Sequence, residues 1–113
     1  MSNSPEMIAA DPPRIIYGYV DNSGTPKSGS GDFTCQKDSD DGIYYVKFAS
    51  KFTEIPAVNA TPVHLLLNAS DLDHCDAATL TALDATGFTV VIRKTDTNRA
   101  DVGFCFSAIG QAS

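Results

Sequence analysis

Hydrophobic and polar side chains alternate along much of the 113-residue chain, most clearly toward its C-terminal end. There, Phe88, Val90 and Ile92 occupy alternate positions of one segment, and Phe104 and Phe106 do the same in the next. A period of two residues, rich in β-branched and aromatic side chains, is typical of a strand that buries one face. We therefore expect two strands here, joined as a hairpin by a short polar loop.

The same alternation recurs upstream, interrupted by clusters of Gly, Pro, Asn, Asp and Ser that are typical of turns. Pro62 predicts an edge strand or a bulge, because proline cannot donate a hydrogen bond to a neighbouring strand. The predicted strands number about seven, at residues 14–20, 32–37, 43–49, 57–67 (one long strand or a bent pair), 79–84, 86–94 and 102–110. Their spacing predicts an all-β sandwich or barrel, and the short connections favour antiparallel pairing.

The length is that of one domain, and a chain of this size buries roughly 65% of the surface of its unfolded state. Pro12 and Pro13 cannot continue a helix and push the chain toward extended geometry. We therefore expect an extended N-terminal arm over residues 1–13 and a single β-sandwich domain over residues 14–113.

The formal net charge is −6, from 14 acidic and 8 basic side chains. A phosphate backbone would repel such a chain, so we expect no nucleic-acid partner. No apolar stretch approaches the roughly 20 residues of a membrane-spanning helix, and the N-terminal residues lack the basic and apolar regions of a secretory signal. We expect synthesis in the cytoplasm and no membrane insertion, with action outside the cell or on a particle left open.

The chain has three cysteines, Cys35, Cys75 and Cys105, an odd number that leaves at least one without a partner in the same chain. None has Cys-x-x-Cys spacing, and the expected cytoplasmic origin favours free thiols. Three states stay open at this point: three free thiols, one disulfide between the strand residues Cys35 and Cys105, or a bond between chains.

No motif indicates catalysis. The chain lacks a Gly-x-Ser-x-Gly nucleophile turn and a glycine-rich loop that leads into a helix and could bind phosphate. Two acidic clusters resemble metal sites, but neither has the spacing of zinc ligands or the closing Glu of a calcium loop. We therefore expect no enzyme, no cofactor and no metal, and interpret as solvated turns the clusters Asp38, Asp40 and Asp41, and Asp71, Asp73, His74, Cys75 and Asp76.

The loop 95–101 carries the most suggestive chemistry, because carboxylates, an amide and a guanidinium fall within seven residues. Such groups bind the vicinal hydroxyls of sugars, while an aromatic or apolar surface meets the C–H side of the ring. Loops on a rigid scaffold are also where binding residues concentrate. An ordinary hairpin loop is the alternative.

Three segments in a fixed order resemble a known family: YVKFASKFTEIPAV at 45–58, DATGF at 84–88 and FCFSAIG at 104–110. Together they resemble the H-type lectin domain, as in snail agglutinins and the discoidin C-terminal domain, and the related domains at the ends of bacterial and phage fibre proteins. The resemblance runs from about Ile15 to Gly110. It implies an antiparallel β-sandwich of about six to seven strands, a trimer, and a galactose or N-acetylgalactosamine site near a protomer interface.

The family's sugar site carries over only in part. Its acidic residue, in the loop before a central strand, falls near Asp38, with Asp40 or Asp41 as substitutes. Its arginine would fall near Cys75, where this chain has none. Its aromatic and histidine pair is replaced by the loop residues Thr95, Asp96, Arg99 and Asp101.

The sequence thus predicts a non-enzymatic, lectin-like module that binds glycans and forms a homo-oligomer, expected to be a trimer. The alternative is a structural trimerisation or end-cap domain of a fibre or particle that binds no sugar. The candidate ligand-binding residues are Asp38, Asp40, Asp41, Asp96, Arg99 and Asp101.

Overall fold

Two four-stranded antiparallel sheets form a β-sandwich. The computed structural model describes residues 12–63, 77–93, 99 and 101–111, and within them it has eight strands and no helix. The strands are β1 (Arg14–Val20), β2 (Pro26–Gly29), β3 (Phe33–Lys37), β4 (Ile43–Phe48), β5 (Ala57–Val63), β6 (Ala77–Asp84), β7 (Gly87–Arg93) and β8 (Gly103–Gly110). Their order is β2-β1-β8-β5 in the first sheet and β3-β4-β7-β6 in the second. The predicted fold class is confirmed.

The sequence pattern placed most strands correctly, and β1 has the predicted bounds. The strand β2 was missed, because all four of its residues are exposed and no alternation marks it. Pro62 lies in β5, an edge strand that pairs with β8 alone among the described strands, as the missing N–H predicts. The predicted extension of this strand to residue 67 and the arm over residues 1–11 lie outside the described residues.

The last two strands do not form the predicted hairpin. β7 pairs with β4 and β6 in the second sheet, whereas β8 pairs with β1 and β5 in the first. The connection 94–102 therefore crosses from one sheet to the other at one end of the sandwich. This crossing matters for the candidate site, because the connection carries Arg99 and Asp101.

The core lies between the sheets and is rich in aromatic side chains. Phe106 of β8 packs edge-on against Phe33 at 4.9 Å and against Phe88 at 5.1 Å between ring centroids, and Phe104 packs against Tyr44 at 5.2 Å. Each of these contacts joins one sheet to the other, as edge-to-face aromatic pairs commonly do in cores. The inward side chains of β8 thus hold the first sheet against β3, β4 and β7 of the second.

Cys35 and Cys105 are both free thiols. Cys35 is half-buried on β3 and packs against the core, whereas Cys105 is exposed on the outer face of β8 in the other sheet. The alternative of a Cys35–Cys105 disulfide was therefore wrong, and Cys75 lies outside the described residues. The two thiols occupy different sheets, and only one of them is solvent-facing.

We expect alkylation of Cys35 to be about 100-fold slower in the folded protein than in the urea-unfolded protein at neutral pH. Burial, helped by the negative charge of Asp21, raises the pKa of the Cys35 thiol to about 11, and only the thiolate reacts, which an ordinary thiol forms with a pKa near 8.5. Mass spectrometry of the peptide that contains Cys35, after timed iodoacetamide treatment, measures both rates. Equal rates would contradict the burial of this side chain.

Candidate functional site

Three connections meet at one end of the sandwich: the β1–β2 turn, the β3–β4 turn and the crossing from β7 to β8. We call this region the acidic end and define it by Asp21, Asn22, Asp38, Arg99 and Asp101. The turns after β4 and between β6 and β7 lie at the other end of the antiparallel sheets. Charged and polar side chains from three separate segments therefore lie close together at the acidic end.

Asp101 joins the crossing connection to the β3–β4 turn. Its Oδ1 accepts a hydrogen bond from the backbone N–H of Gly42 at 2.8 Å and lies 3.2 Å from Lys37 Nζ. Gly42 has a positive φ of 76°, which glycine adopts without strain, so its N–H can turn toward the partner segment. The carboxylate of Asp101 therefore links the β3–β4 turn to the crossing connection, two segments that are far apart in the sequence.

Asp38 is held in a fixed orientation at the start of the β3–β4 turn. Its Oδ2 accepts the backbone N–H of Asp40 at 3.0 Å, and its Oδ1 accepts the hydroxyl of Tyr45 at 2.9 Å. These two bonds, together with the positive charges of Lys37 and Arg99, lower the pKa of Asp38 below its ordinary value of 3.8. The carboxylate is therefore ionised at neutral pH and keeps lone pairs free for a further donor.

The β1–β2 turn closes the third side of the acidic end. Asp21 Oδ1 accepts the backbone N–H groups of Ser23 and Thr25 at 2.9 and 3.0 Å and the Ser23 hydroxyl at 2.7 Å, which lowers the pKa of Asp21. Such Asx-type bonds are a common way to fix a short turn. The buried Tyr44 donates its hydroxyl to the carbonyl of Asn22 at 2.8 Å and so ties this turn to β4.

A shallow, open pocket of about 330 Å³ lies beside Asp101. Gly103 is one of its lining residues and pairs with Val63. An added Cβ at Gly103 would lie 2.5 Å from the carbonyl oxygen of Val20, so glycine lets the end of β1 approach β8 closely at the pocket. Its lining residues are Tyr19, Asp21, Asn22, Val63, Asp101, Val102 and Gly103.

The structure brings several of the predicted site residues together. Asp38 and Asp101 both lie next to Lys37, whose ammonium donates to the Asp38 carbonyl at 3.1 Å. Arg99 forms an isolated β-bridge with Arg93 beyond the end of β7, close enough to Asp38 to lower its pKa. These positions agree with a shared site, but the binding role of each residue stays a prediction.

The structure does not bring the other predicted site residues into the same set of contacts. Asp40 and Asp41 are exposed in the β3–β4 turn, and Asp41 contributes, after burial and Asp101, to raising the pKa of Tyr44. Asp96 and the cluster from Asp71 to Asp76 lie outside the described residues. Among the residues that the structure describes, no three His, Cys, Asp or Glu side chains converge as metal ligands.

Sequence reasoning missed Tyr19, Asp21 and Asn22. The spacing of Asp21, Ser23 and Thr25 is a signal of an Asx-type turn that could have been found, since side-chain oxygens at such spacing bond the local backbone. Nothing local marks the pocket itself, because it depends on which strands lie side by side.

No family model, no curated protein and no solved structure matches this chain. The likeness to H-type lectins therefore stays a prediction from three short segments. Along the residues that the structure describes, we find no helix with the length and apolar character needed to cross a bilayer.

Proposed function

We propose that this chain is a non-enzymatic carbohydrate-binding module whose glycan site is the acidic end of the sandwich. The observation that carries the proposal is that Asp38, Arg99 and Asp101, from two segments remote in sequence, lie at the same end of the sandwich, where Asp101 also lines an open pocket. The resemblance to H-type lectins points in the same direction, and galactose or N-acetylgalactosamine are the first sugars to test.

The hydrogen-bonding groups of the acidic end suit sugar hydroxyls. Asp38 and Asp101 are already oriented by backbone N–H groups, so a ligand would not need to order them. A pre-oriented group loses less conformational entropy on binding. Lys37 and Arg99 supply donors beside these acceptors, and a hydrogen bond to a charged group contributes about 1.5–3 kcal/mol.

Two tyrosines, one on the outer face of each sheet, offer apolar surface for the C–H side of a sugar ring. Tyr19 lines the pocket next to Asp101, and Tyr45, which is 42% exposed, lies against Asp38. The pocket volume of about 330 Å³ falls at the lower end of the range of ligand sites, about 300–1,000 Å³. That size fits one or two sugar rings rather than a long buried ligand.

A site this open is expected to bind a single sugar weakly. A homotrimer, as the family resemblance implies, would present three sites and raise the avidity for a branched glycan by roughly 10²–10⁴. Multivalent glycans on an array or a surface are therefore the appropriate probe, rather than a monosaccharide in solution.

The test is a glycan array with the full chain and a double variant, Arg99→Ala with Asp101→Asn. We expect at least about a 100-fold loss of affinity for any glycan that the parent protein binds, since two charge-assisted bonds are removed and about 1.4 kcal/mol is tenfold. The asparagine keeps an acceptor for the Gly42 N–H, so the turn is expected to stay folded.

The matched control is Lys51→Ala with Glu54→Gln, which removes one positive and one negative charge at the other end of the sandwich, where both side chains are exposed. Binding is expected to be unchanged. Equal binding by the parent and the Arg99/Asp101 variant would mean that the site lies elsewhere. A parent protein that binds no glycan on a broad array would refute the carbohydrate-binding proposal.

A structural module without sugar binding is the second candidate. The observation that favours it is the outer face of β1 and β8 in the first sheet, where Ile15, Tyr17 and Ile109 are exposed. A trimerisation or end-cap domain of a fibre or particle needs such a face and no ligand site. A silent glycan array together with a stable oligomer would support this candidate.

A further inference from the structure

The wall of the open pocket at the acidic end combines negative charge with apolar surface. Two of its seven lining residues, Asp21 and Asp101, carry carboxylates, and none of the seven is basic. The other lining residues are aromatic, aliphatic, amide or glycine: Tyr19, Asn22, Val63, Val102 and Gly103. Such a wall suits a ligand that carries one positive charge with C–H groups beside it.

The electrostatic field behind this wall is negative as well. The buried Tyr44 donates its hydroxyl to the carbonyl of Asn22, one of the lining residues. Burial raises the pKa of Tyr44, and the negative charges of Asp101 and Asp21 are among those that raise it further. The wall therefore keeps a negative potential although Lys37 lies 3.2 Å from Asp101.

Each carboxylate of the wall keeps one oxygen for a ligand. Oδ1 of Asp21 accepts the bonds of its own turn, and Oδ1 of Asp101 accepts those from Gly42 and Lys37. Over the described ranges of the chain, no donor bonds Oδ2 of either aspartate. Two oriented carboxylates with free oxygens favour a ligand with several strong donors, and an ammonium group carries three.

We propose that the pocket binds the ammonium group of an amino sugar whose amine is not acetylated. The inference rests on the proposed glycan function and specifies the class of glycan. An ammonium can donate to both carboxylates, and charge-assisted hydrogen bonds are about twice as strong as those between neutral groups. The ring of Tyr19 attracts a cation placed over its face and also suits the neighbouring C–H groups.

The N-acetyl form of the same sugar is expected to bind more weakly. Acetylation removes the positive charge and leaves a single N–H donor, and it adds a carbonyl acceptor beside the acceptors Asp21 and Asp101. A carboxylate that loses water without gaining a donor raises the free energy of the complex. Galactose should also rank below galactosamine, because a hydroxyl donates one hydrogen bond and carries no charge.

The test compares binding of the full chain to surfaces that display galactosamine, N-acetylgalactosamine or a simple primary amine at equal density. The pH is mildly acidic, so that the sugar amine is protonated. We expect the galactosamine surface to bind at least about tenfold more tightly than the N-acetyl surface, because a small preference at each site multiplies on a multivalent surface. The simple amine should bind less tightly than galactosamine, since it lacks a ring for the apolar part of the wall. High salt should reduce the preference, because it screens charges in an open pocket.

The variant Asp21→Asn removes one charge from the wall and keeps an acceptor for the N–H groups of its turn. Its preference for galactosamine should fall by at least about threefold, the scale of one exposed charge pair, while N-acetylgalactosamine binds as in the parent. The matched control is Asp84→Asn. Asp84 accepts the N–H groups of Thr86 and Gly87 in an equivalent turn at the other end of the sandwich, so the control changes the net charge equally and should keep the preference. Circular dichroism shows that all three proteins are folded.

The outcomes separate this inference from the glycan proposal. Equal binding of the two sugars by the parent, a preference that survives Asp21→Asn or is lost in Asp84→Asn, or a simple amine that binds as tightly as galactosamine would each overturn the inference. None of these results touches the glycan proposal, which fails only when a broad array is silent. A parent that binds neither sugar surface also overturns the inference, whatever other glycans it binds.

Discussion

Replacement of Phe106 by alanine is expected to lower the free energy of unfolding by about 3–5 kcal/mol. Natural domains are stable by only about 5–15 kcal/mol, so this one change would leave the protein marginally folded at room temperature. Urea unfolding followed by circular dichroism and by tyrosine fluorescence measures the difference.

The size of the effect follows from the position of Phe106 on β8, a central strand of the first sheet. Its ring meets Phe33 at an interplanar angle of 88° and Phe88 at 64°, and both partners belong to the second sheet. Truncation removes two contacts between the sheets and leaves a cavity, and the neighbouring strands are too firmly paired to fill it. The lost aromatic geometry adds about 0.5–1.5 kcal/mol per pair to the cost of the lost buried area.

Two further variants test whether the buried aromatic ring itself is responsible. Phe106→Leu keeps an apolar side chain but loses the edge-to-face geometry, so it should cost clearly less than alanine. Ile55→Ala changes a side chain that is 64% exposed and should stay within about 0.5 kcal/mol of the parent. A Phe106→Ala protein as stable as the Ile55→Ala protein would show that the sheets are not held together at this ring.

The sequence predicted individual strands well because each strand carries its own signal. β1 and β8 alternate buried and exposed positions over seven and eight residues, which is the information that the pattern uses. β2 has no buried side, and it exists only because β1 offers backbone partners to it across a register shift. A strand that is stabilised only by backbone pairing with its neighbour shows no alternation of hydrophobic and polar residues, so its sequence does not predict it.

The choice of strand partners is not a local property, and this is where the sequence prediction failed. The connection between β7 and β8 is as compatible with a crossing between sheets as with a hairpin, so length and polarity do not decide. For the same reason the residue pattern indicated the acidic turn and the crossing loop only separately, and it was the family resemblance that placed them in one candidate site. The hydrogen bond from Gly42 to Asp101 joins them, across 59 residues of sequence.

The glycine at position 18 is expected to be required for packing, and its replacement by alanine should cost about 1–3 kcal/mol, the usual range for overpacking. A Cβ there would lie 2.6 Å from Cε1 of Phe33, closer than two carbon atoms can approach. The Phe33 ring cannot easily retreat, because it is buried and packs edge-on against Phe106.

A double-mutant cycle with Phe33→Leu identifies the clash as the cause. Leucine lacks the far edge of the ring, so Gly18→Ala should cost less than about 1 kcal/mol in that background, and the coupling should fall in the range of about 0.5–3 kcal/mol for residues in contact. Thermal and urea unfolding of the four proteins provide the measurement.

Gly31→Ala is the matched control, because it tests backbone strain without a clash. Gly31 has a positive φ of 83°, and a Cβ added there would meet no atom within 4 Å, so alanine is disfavoured by conformation alone. Its cost should be the same with phenylalanine or leucine at position 33. Additive effects at Gly18 would instead mean that β1 shifts to relieve the contact, and the close approach of Phe33 would then not be what requires glycine at this position.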